Sequence, residues 1–341
     1  MTDPLDIPLI DISSNNDHAA GKAMLDAAVK FGFLYVDSRS SCFTQSDVQG
    51  AFDISKEFFH LPRDEKSLYK RGSDVSASSP YFKMDSNVSR SQNKGWVGMM
   101  VETLDPEHHE INQSLPPSLM KREKDISNFV DLCNRTCNRV PSNFFTSQHD
   151  PSKGLTGNSL RLLYYPEDVT GYCPGKDIRA GAHSDYGSVT LLFQLPGQPG
   201  LEILTPDESW APVPVYPRGI QGDFPFPPIL VNIGDMLSYW TDGLLKSTVH
   251  RVVFPDSDAD GGNQRSESRD RYSIAFFCQP VESTELGPIP SDLVSSYRQR
   301  KAEDASVTIG YGGGSSALNT SQRKTITAKG HLQARLNATY V

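Results

Sequence analysis

A mainly β chain with flanking helices, built on a double-stranded β-helix (jelly-roll) core, is the fold class predicted by three observations. Between Leu160 and Phe277 short β-branched and aromatic runs alternate with Pro and Gly punctuation, as closely spaced antiparallel strands require. Before this region, apolar residues recur at helical spacing in three separate stretches. After Pro280 the strand pattern stops and helical segments return.

Ile7–Ile12 is a short apolar strand ended by Ser13, Ser14 and Asn15. Asn16 or Asp17 caps a helix through Lys30, with Met24, Leu25, Ala28 and Val29 as its apolar stripe. Phe31–Val36 returns as a strand. A helix capped near Thr44 carries Val48, Phe52, Ile54, Phe58 and Phe59 until Leu61-Pro62 stops it. Residues 70–117, rich in Ser, Asn, Gly and Pro, predict a substrate-covering loop with Tyr81 and Trp96 as candidate contacts, the alternative being a mobile surface insertion; His108-His109 is a solvated pair. A long helix over residues 118–138 turns Leu119, Ile126, Phe129, Val130 and Cys133 inward. Asn232-Ile233-Gly234-Asp235 predicts a tight turn between strands, with positive φ at Gly234 and a local hydrogen bond at Asp235. The acidic stretch 256–270 is a solvated hairpin, residues 289–293 open a short helix, and His331–Leu336 is a terminal helix. Three segments result: an α/β part with a lid loop (1–117), a supporting helix plus jelly roll (118–280) and a helical cover (281–341).

With 341 residues and 37% apolar composition the chain can bury a full core. Its formal charge of -8 argues against nucleic acid and against an anionic membrane surface, since both need a clustered basic face. A small-molecule substrate is expected instead. The first residues hold no basic stretch followed by an apolar run, and no segment reaches the length of a membrane span, which predicts a soluble protein. Five cysteines, an odd number, point to reduced thiols and a cytoplasmic setting. Cys133 and Cys137 lie four apart on a predicted helix, but no second pair completes a zinc site, and small helix residues are the simpler account.

The chemistry centres on Ala180–Phe193. On an extended strand side chains alternate, so His183 and Asp185 face one way and Ser184 the other. His250, in the β-branched run 246–253, offers a third ligand. Two imidazoles and one carboxylate form a facial triad. That arrangement suits non-haem Fe(II), because it leaves adjacent positions for a bidentate co-substrate and O2. A His-x-Asp pair alone is common on protein surfaces; what gives this one weight is Arg271–Cys278 downstream. There Arg271, Ser273, Ala275 and Phe277 share a face, and a guanidinium fork beside a hydroxyl can anchor the far end of a dicarboxylate.

The words Leu160-Arg161-Leu162-Leu163-Tyr164-Tyr165-Pro166, Ala182-His183-Ser184-Asp185-Tyr186-Gly187, Val231–Leu237, His250-Arg251-Val252 and Arg271-Tyr272-Ser273 together resemble the Fe(II) and 2-oxoglutarate-dependent dioxygenases, in the branch that includes isopenicillin N synthase. Within it the phrasing is most similar to fungal thymine 7-hydroxylase and to fungal enzymes that oxidise methyl groups of aromatic polyketides, tropolone-pathway members included. The resemblance implies metal ligands His183, Asp185 and His250, with 2-oxoglutarate held by Arg271, Ser273 and Tyr165. It implies a substrate pocket bounded by Arg161, Tyr186 and Phe277, suited to a small planar oxygenated ring. Fe(II), 2-oxoglutarate and O2 are the implied cofactor and co-substrates, with release of succinate and CO2 as a C–H bond, expected to be a methyl, is oxidised. Ring expansion is a further outcome within that family. Asp185 argues against halogenation, since halogenating relatives replace this carboxylate. Two alternatives share the motifs: an oxidase like isopenicillin N synthase that uses no 2-oxoglutarate, and an inactive binding protein on the same scaffold.

Overall fold

A computed structural model describes residues 5–13, 18–62, 65, 81–84, 97–102, 119, 122–137, 143–166, 178–220, 222–254, 270–302 and 325–339. Its strands are β1 (Leu9–Ile10), β2 (Phe33–Val36), β3 (Tyr81–Met84), β4 (Val97–Glu102), β5 (Ser159–Tyr165), β6 (Ala180–His183), β7 (Val189–Gln194), β8 (Leu201–Leu204), β9 (Trp210–Pro212), β10 (Ile229–Ile233), β11 (His250–Val252) and β12 (Arg271–Cys278). The helices are α1 (His18–Lys30), α2 (Gln45–Phe59), α3 (Glu123–Cys137), α4 (Asn143–Gln148), α5 (Asp235–Trp240), α6 (Asp292–Ala302) and α7 (Ala328–Thr339).

The strands form two sheets, one in the order β1-β2-β10-β7-β12-β5-β4-β3 and a smaller one in the order β6-β11-β8-β9. Among the described strands β1 and β2 pair in parallel and the other ladders are antiparallel. Phe33, Tyr35 and Leu230 of the large sheet meet Leu201, Ile203 and Val252 of the small one in a single apolar cluster. This double layer is the jelly-roll core that the strand pattern predicts. The outer face of the large sheet carries Leu160, Leu162, Leu191, Phe193, Ile274 and Phe276, which pack with residues of α2 and α3. Phe43, Phe129 and Phe193 interlock there at ring-centre distances of 5.0–5.4 Å. Central strands β2 and β10 are buried at every residue, so they read as continuous apolar runs without alternation.

The capping prediction for α2 is met in full. The Thr44 hydroxyl accepts from the Asp47 backbone N–H, and the Asp47 carboxylate accepts from that of Thr44. All five predicted apolar residues of α2 are buried.

Four features differ from the sequence expectation. Within 70–117, residues 81–84 and 97–102 form strands at one edge of the large sheet, where Val97 opposes Tyr164 and Met100 opposes Arg161. An apolar run beside an open sheet edge pairs with it, which composition alone does not reveal. Trp96 and His108-His109 lie outside the described residues, as do 255–269 and 303–324. In α1 the buried residues are Ala27 and Ala28, whereas Leu25 is 36% exposed. α3 begins at Glu123, later than the predicted start near 118. Gly234 has φ of -98°, within the range of any residue, and leads from β10 straight into α5. Space makes it a glycine: a Cβ there would collide with the Gly187 carbonyl oxygen.

Candidate functional site

The antiparallel pairing of β6 with β11 places His183 directly opposite His250, beside an irregularity where three residue steps along β6 match two along β11. Asp185 is not on the strand. β6 ends at His183, and the chain turns over residues 184–188 before β7 begins. Backbone bonds pin that turn: Asp235 N–H donates to the Asp185 carbonyl (2.7 Å), Met236 N–H to that of Gly187 (3.1 Å), and Ser188 N–H to that of Cys278 (2.9 Å). The result is convergence. The potential ligand atoms of His183, Asp185 and His250 all lie within 4.8 Å of one another, and Asp185 Oδ1 is 3.9 Å from His183 Nε2 and 3.7 Å from His250 Nε2.

Each ligand is oriented by a bond on its other side. His183 Nδ1–H donates to the Gly181 carbonyl (2.7 Å) and His250 Nδ1–H to that of Thr248 (3.1 Å), so both Nε2 lone pairs point at the shared space. Asp185 Oδ2 accepts from Thr190 Oγ1 (2.6 Å) and Asn232 Nδ2 (2.7 Å), which leaves Oδ1 toward the imidazoles. Phe33 meets the His250 ring edge-on at 5.7 Å and backs it with apolar surface. Desolvation by the pocket around its ring lowers the His183 pKa to about 4 even though one side of the side chain opens outward, aided by the neighbouring His250. For Asp185 burial acts the other way, but the two imidazoles and the Thr190 and Asn232 bonds outweigh it and hold the carboxyl below its ordinary range. Neutral imidazoles and an ionised carboxylate are what a divalent cation takes as ligands. His183 has 48% of its side chain exposed whereas Asp185 and His250 are nearly sealed, so the triad opens on the His183 side.

A second constellation lies on β5, β7 and β12. Arg271 opposes Tyr165 in the β12–β5 ladder, and its guanidinium sits 5.2 Å from the Tyr165 ring centre. It is 1% exposed. Its Nη1 donates to Ser273 Oγ (3.2 Å) and its Nη2 to Gln194 Oε1 (3.4 Å). Among the described residues no carboxylate pairs with it, and Arg271 Nε and Gln194 Nε2 are buried without a hydrogen-bond partner. A buried, uncompensated guanidinium is costly, and each unmatched buried donor costs about 1–3 kcal/mol. Both unmatched groups here are donors. An anionic acceptor such as a carboxylate fits that set, and burial lowers the arginine pKa.

Of the three predicted substrate residues, two pair with each other and the third meets an arginine of α7. Arg161 lies over the Phe277 ring at 5.2 Å, on the inward face of β5 and β12, and its charge helps to depress the His183 pKa. Tyr186, directly after Asp185, is covered by the Arg335 guanidinium of α7 at 5.3 Å. Tyr81 starts β3 at the sheet edge.

Several contributors escape the sequence reading. Thr190 and Gln194 both lie on the inward face of β7, and two polar residues four apart, hence on one face of the otherwise apolar run 189–194, are the available signal. Asn232, expected in a turn, instead holds Asp185. Asp235 does not make the predicted local bond. Its carboxylate accepts from Ser184 Oγ (3.1 Å), Ser247 Oγ (2.6 Å) and Arg335 Nη2 (2.8 Å). Ser184, expected to turn outward, is buried where it makes that contact.

Residues 156–280 match the 2OG-Fe(II) oxygenase superfamily profile, and residues 7–123 match the one described as non-haem dioxygenase in morphine synthesis N-terminal. The chain is 30% identical over 301 residues to the 2-oxoglutarate-dependent dioxygenase gloE of Glarea lozoyensis, covering 84% of this chain and 83% of that one. The corresponding figures for the 2-oxoglutarate-dependent dioxygenase caaD of Aspergillus niger are 29% over 311 residues, 82% and 86%. Among solved structures, full-length Neurospora crassa thymine 7-hydroxylase in complex with alpha-KG and thymine superposes with a TM-score of 0.70 at 25% identity, over 100% of this chain and 99% of that one. No described helix is long and apolar enough to cross a membrane. With its jelly roll, its His-Asp-His cluster and these relatives, the chain belongs to the 2OG-Fe(II) oxygenase superfamily and is a 2-oxoglutarate-dependent dioxygenase.

Proposed function

We propose that this dioxygenase oxidises a C–H bond, in the first instance a methyl C–H, of a small planar aromatic or heteroaromatic substrate such as a methylated pyrimidine or a fungal-type polyketide ring. In this reading His183, Asp185 and His250 hold Fe(II), and Arg271, Ser273 and Tyr165 receive the distal carboxylate of 2-oxoglutarate. Arg161, Tyr186 and Phe277 bound the substrate. The observation that carries the co-substrate assignment is the buried Arg271 with its unmatched donors, in the same inter-sheet layer as the triad. Segment 1–117 then serves as an amino-terminal α/β part with a lid loop, 118–280 as supporting helix and catalytic core, and 281–341 as helical cover, in a cytoplasmic enzyme.

The residues divide the work. Fe(II) bound at the triad supplies the O2 chemistry, in which 2-oxoglutarate, O2 and R–H become succinate, CO2 and R–OH. Arg271 fixes one end of the dicarboxylate by a charge-assisted fork, so that its keto acid end is delivered to the metal in one orientation. Arg161 offers a cation to a ring oxygen of the substrate, and the Phe277 face lets a planar ring stack beside it. Support for a pyrimidine or similar ring comes from the Neurospora enzyme, whose solved complex holds thymine.

The test is substrate-triggered succinate release over a panel of thymine and methylated aromatic polyketides, with product mass measured in parallel. A gain of one oxygen atom, with one succinate per product, is expected for at least one methylated ring. Oxygen consumption without succinate would remove the assignment and leave an oxidase that works without 2-oxoglutarate.

A further inference from the structure

Asp235 is fully buried, and three otherwise separate parts of the chain end on its carboxylate. Ser184 Oγ donates to Oδ2 from between the ligands His183 and Asp185. Ser247 Oγ donates to Oδ1 from three residues before His250. Arg335 Nη2 reaches Oδ2 from α7 at 2.8 Å, with only 14% of the arginine side chain exposed. The Asp235 backbone N–H adds a fourth link, to the Asp185 carbonyl. The same guanidinium lies over the ring of Tyr186, the residue next to Asp185. One turn earlier on α7, His331 is buried against Tyr239 of α5 at 5.3 Å, and the Ala328 N–H donates to the Thr284 carbonyl, so the helix is seated at several points.

A buried carboxylate is costly unless each oxygen is matched and a cation is near. Here Arg335 is that cation. Without it, the Asp235 carboxylate keeps two hydroxyl donors and one negative charge beside an apolar cluster of Met236, Tyr239 and Trp240. It would then draw in water, and the bonds to Ser184 and Ser247 would have to rearrange. Those bonds add to the β6–β11 pairing in holding the two ligand-bearing segments together, because both strands are short and irregular where the histidines meet.

We propose that the Asp235–Arg335 pair is a clasp through which the carboxy-terminal helix positions both metal-ligand segments and Tyr186. Arg335 is a positioning residue: it acts through Asp235, Ser184 and Ser247. The inference rests on the proposed metal site and extends it to a helix about a hundred residues downstream of Asp235 in the sequence.

The experiment uses the full-length protein as wild type, Arg335→Gln, Arg335→Lys and Ser247→Ala. Co(II) is the probe, read by its dissociation constant and by its visible d–d spectrum, with the thermal midpoint of the metal-free protein recorded alongside. Arg335→Gln is expected to weaken Co(II) binding about tenfold, the low end for partners beyond the direct ligands, and to change the d–d bands. Arg335→Lys, which keeps the charge, is expected to recover most of the affinity. Ser247→Ala, which removes one arm and leaves the ion pair, is expected to change the spectrum in the same sense with a smaller loss of affinity. Wild-type affinity and an unaltered spectrum in both Arg335→Gln and Ser247→Ala would overturn the clasp, even with a lowered thermal midpoint, because α7 would then be only a structural cover. Failure of the wild type itself to bind Co(II) would strike the underlying metal-site assignment, and is distinguishable because it precedes any comparison of variants.

Discussion

Asn232 Nδ2 donates to Asp185 Oδ2 at 2.7 Å, the same oxygen that Thr190 Oγ1 approaches at 2.6 Å, and so Oδ1 alone faces His183 and His250. One carboxylate oxygen is spent on orientation and the other is kept for a metal. Asn232 lies near the end of β10, paired with Thr190 in the neighbouring β7, so sheet register places both donors side by side.

Asn232→Leu therefore removes one of two restraints on the proposed ligand while filling the same space. We expect divalent-metal affinity to fall about tenfold, with smaller effects on the co-substrate, since orientation by outer partners commonly carries about 10–100-fold in affinity. Titration of the metal-free protein with Mn(II) or Co(II) measures it. Unchanged affinity would mean that Thr190 alone orients Asp185.

Arg271 is buried, and its geometry suits a fork on a carboxylate. Arg271→Lys keeps the charge but loses the planar pair of donors, and is not a conservative change at such a site. The half-saturation concentration for 2-oxoglutarate is expected to rise about thirtyfold or more, the equivalent of about 2 kcal/mol. Metal affinity should stay within about twofold, because the ligands do not contact Arg271. A variant with unaltered 2-oxoglutarate dependence would detach the pocket from the co-substrate.

Two glycines should respond oppositely to alanine. Gly234→Ala would drive a Cβ into the Gly187 carbonyl, beside the turn that carries Asp185, and backbone cannot yield there cheaply. Loss of metal binding and a thermal midpoint lower by several degrees are expected, as for other overpacked core positions costing about 1–3 kcal/mol. Gly50, inside α2, has nothing within 4 Å of its would-be Cβ. Gly50→Ala should stabilise by about 0.5–1 kcal/mol, through helix propensity and reduced freedom of the unfolded chain. Urea unfolding of the two variants decides both.

His331 makes stability pH-dependent. Burial lowers its pKa from 6.5 to about 3, with Arg335 adding to the shift. As pH falls below 6.5 the unfolded chain takes up a proton that the folded chain refuses until about pH 3, so acid favours unfolding through that window. The thermal midpoint of the wild type should fall between about pH 7.5 and about pH 5, and His331→Phe, which retains a ring against Tyr239, should fall less over the same interval. Equal slopes in both proteins would show that His331 is not the group being titrated.

How far the sequence alone reaches is clear from particular residues. Thr44 and Asp47 announce the start of α2 because capping is settled within four residues. The alternation along β12 separates Arg271, Ser273 and Phe277 from Tyr272, Ile274 and Phe276, and the latter three pack in the helix-facing cluster. His183, Asp185 and His250 can be named as a set from residue type and order. Their convergence, however, needs the β6–β11 register and a turn after His183 that a strand reading of 180–193 does not contain.

Local features are legible in the chain alone: residue chemistry, the two-residue and 3.6-residue periods, and the caps. Which distant groups meet depends on the folded chain. Asn232 reaches Asp185 across 47 residues because the β10–β7 ladder sets it beside Thr190 and the turn before β7 returns Asp185 to both, and Arg271 reaches Gln194 across 77 through the β12–β7 ladder. Gly234 is a glycine because the carbonyl of a distant turn stands where its Cβ would be, not because of its own φ. Asp235 reads as a turn residue because nothing nearby in the chain indicates that Ser184, Ser247 and Arg335 will surround it. Periodicity reports the direction in which a side chain leaves its own strand, but what it meets there depends on chain segments folded against it from elsewhere.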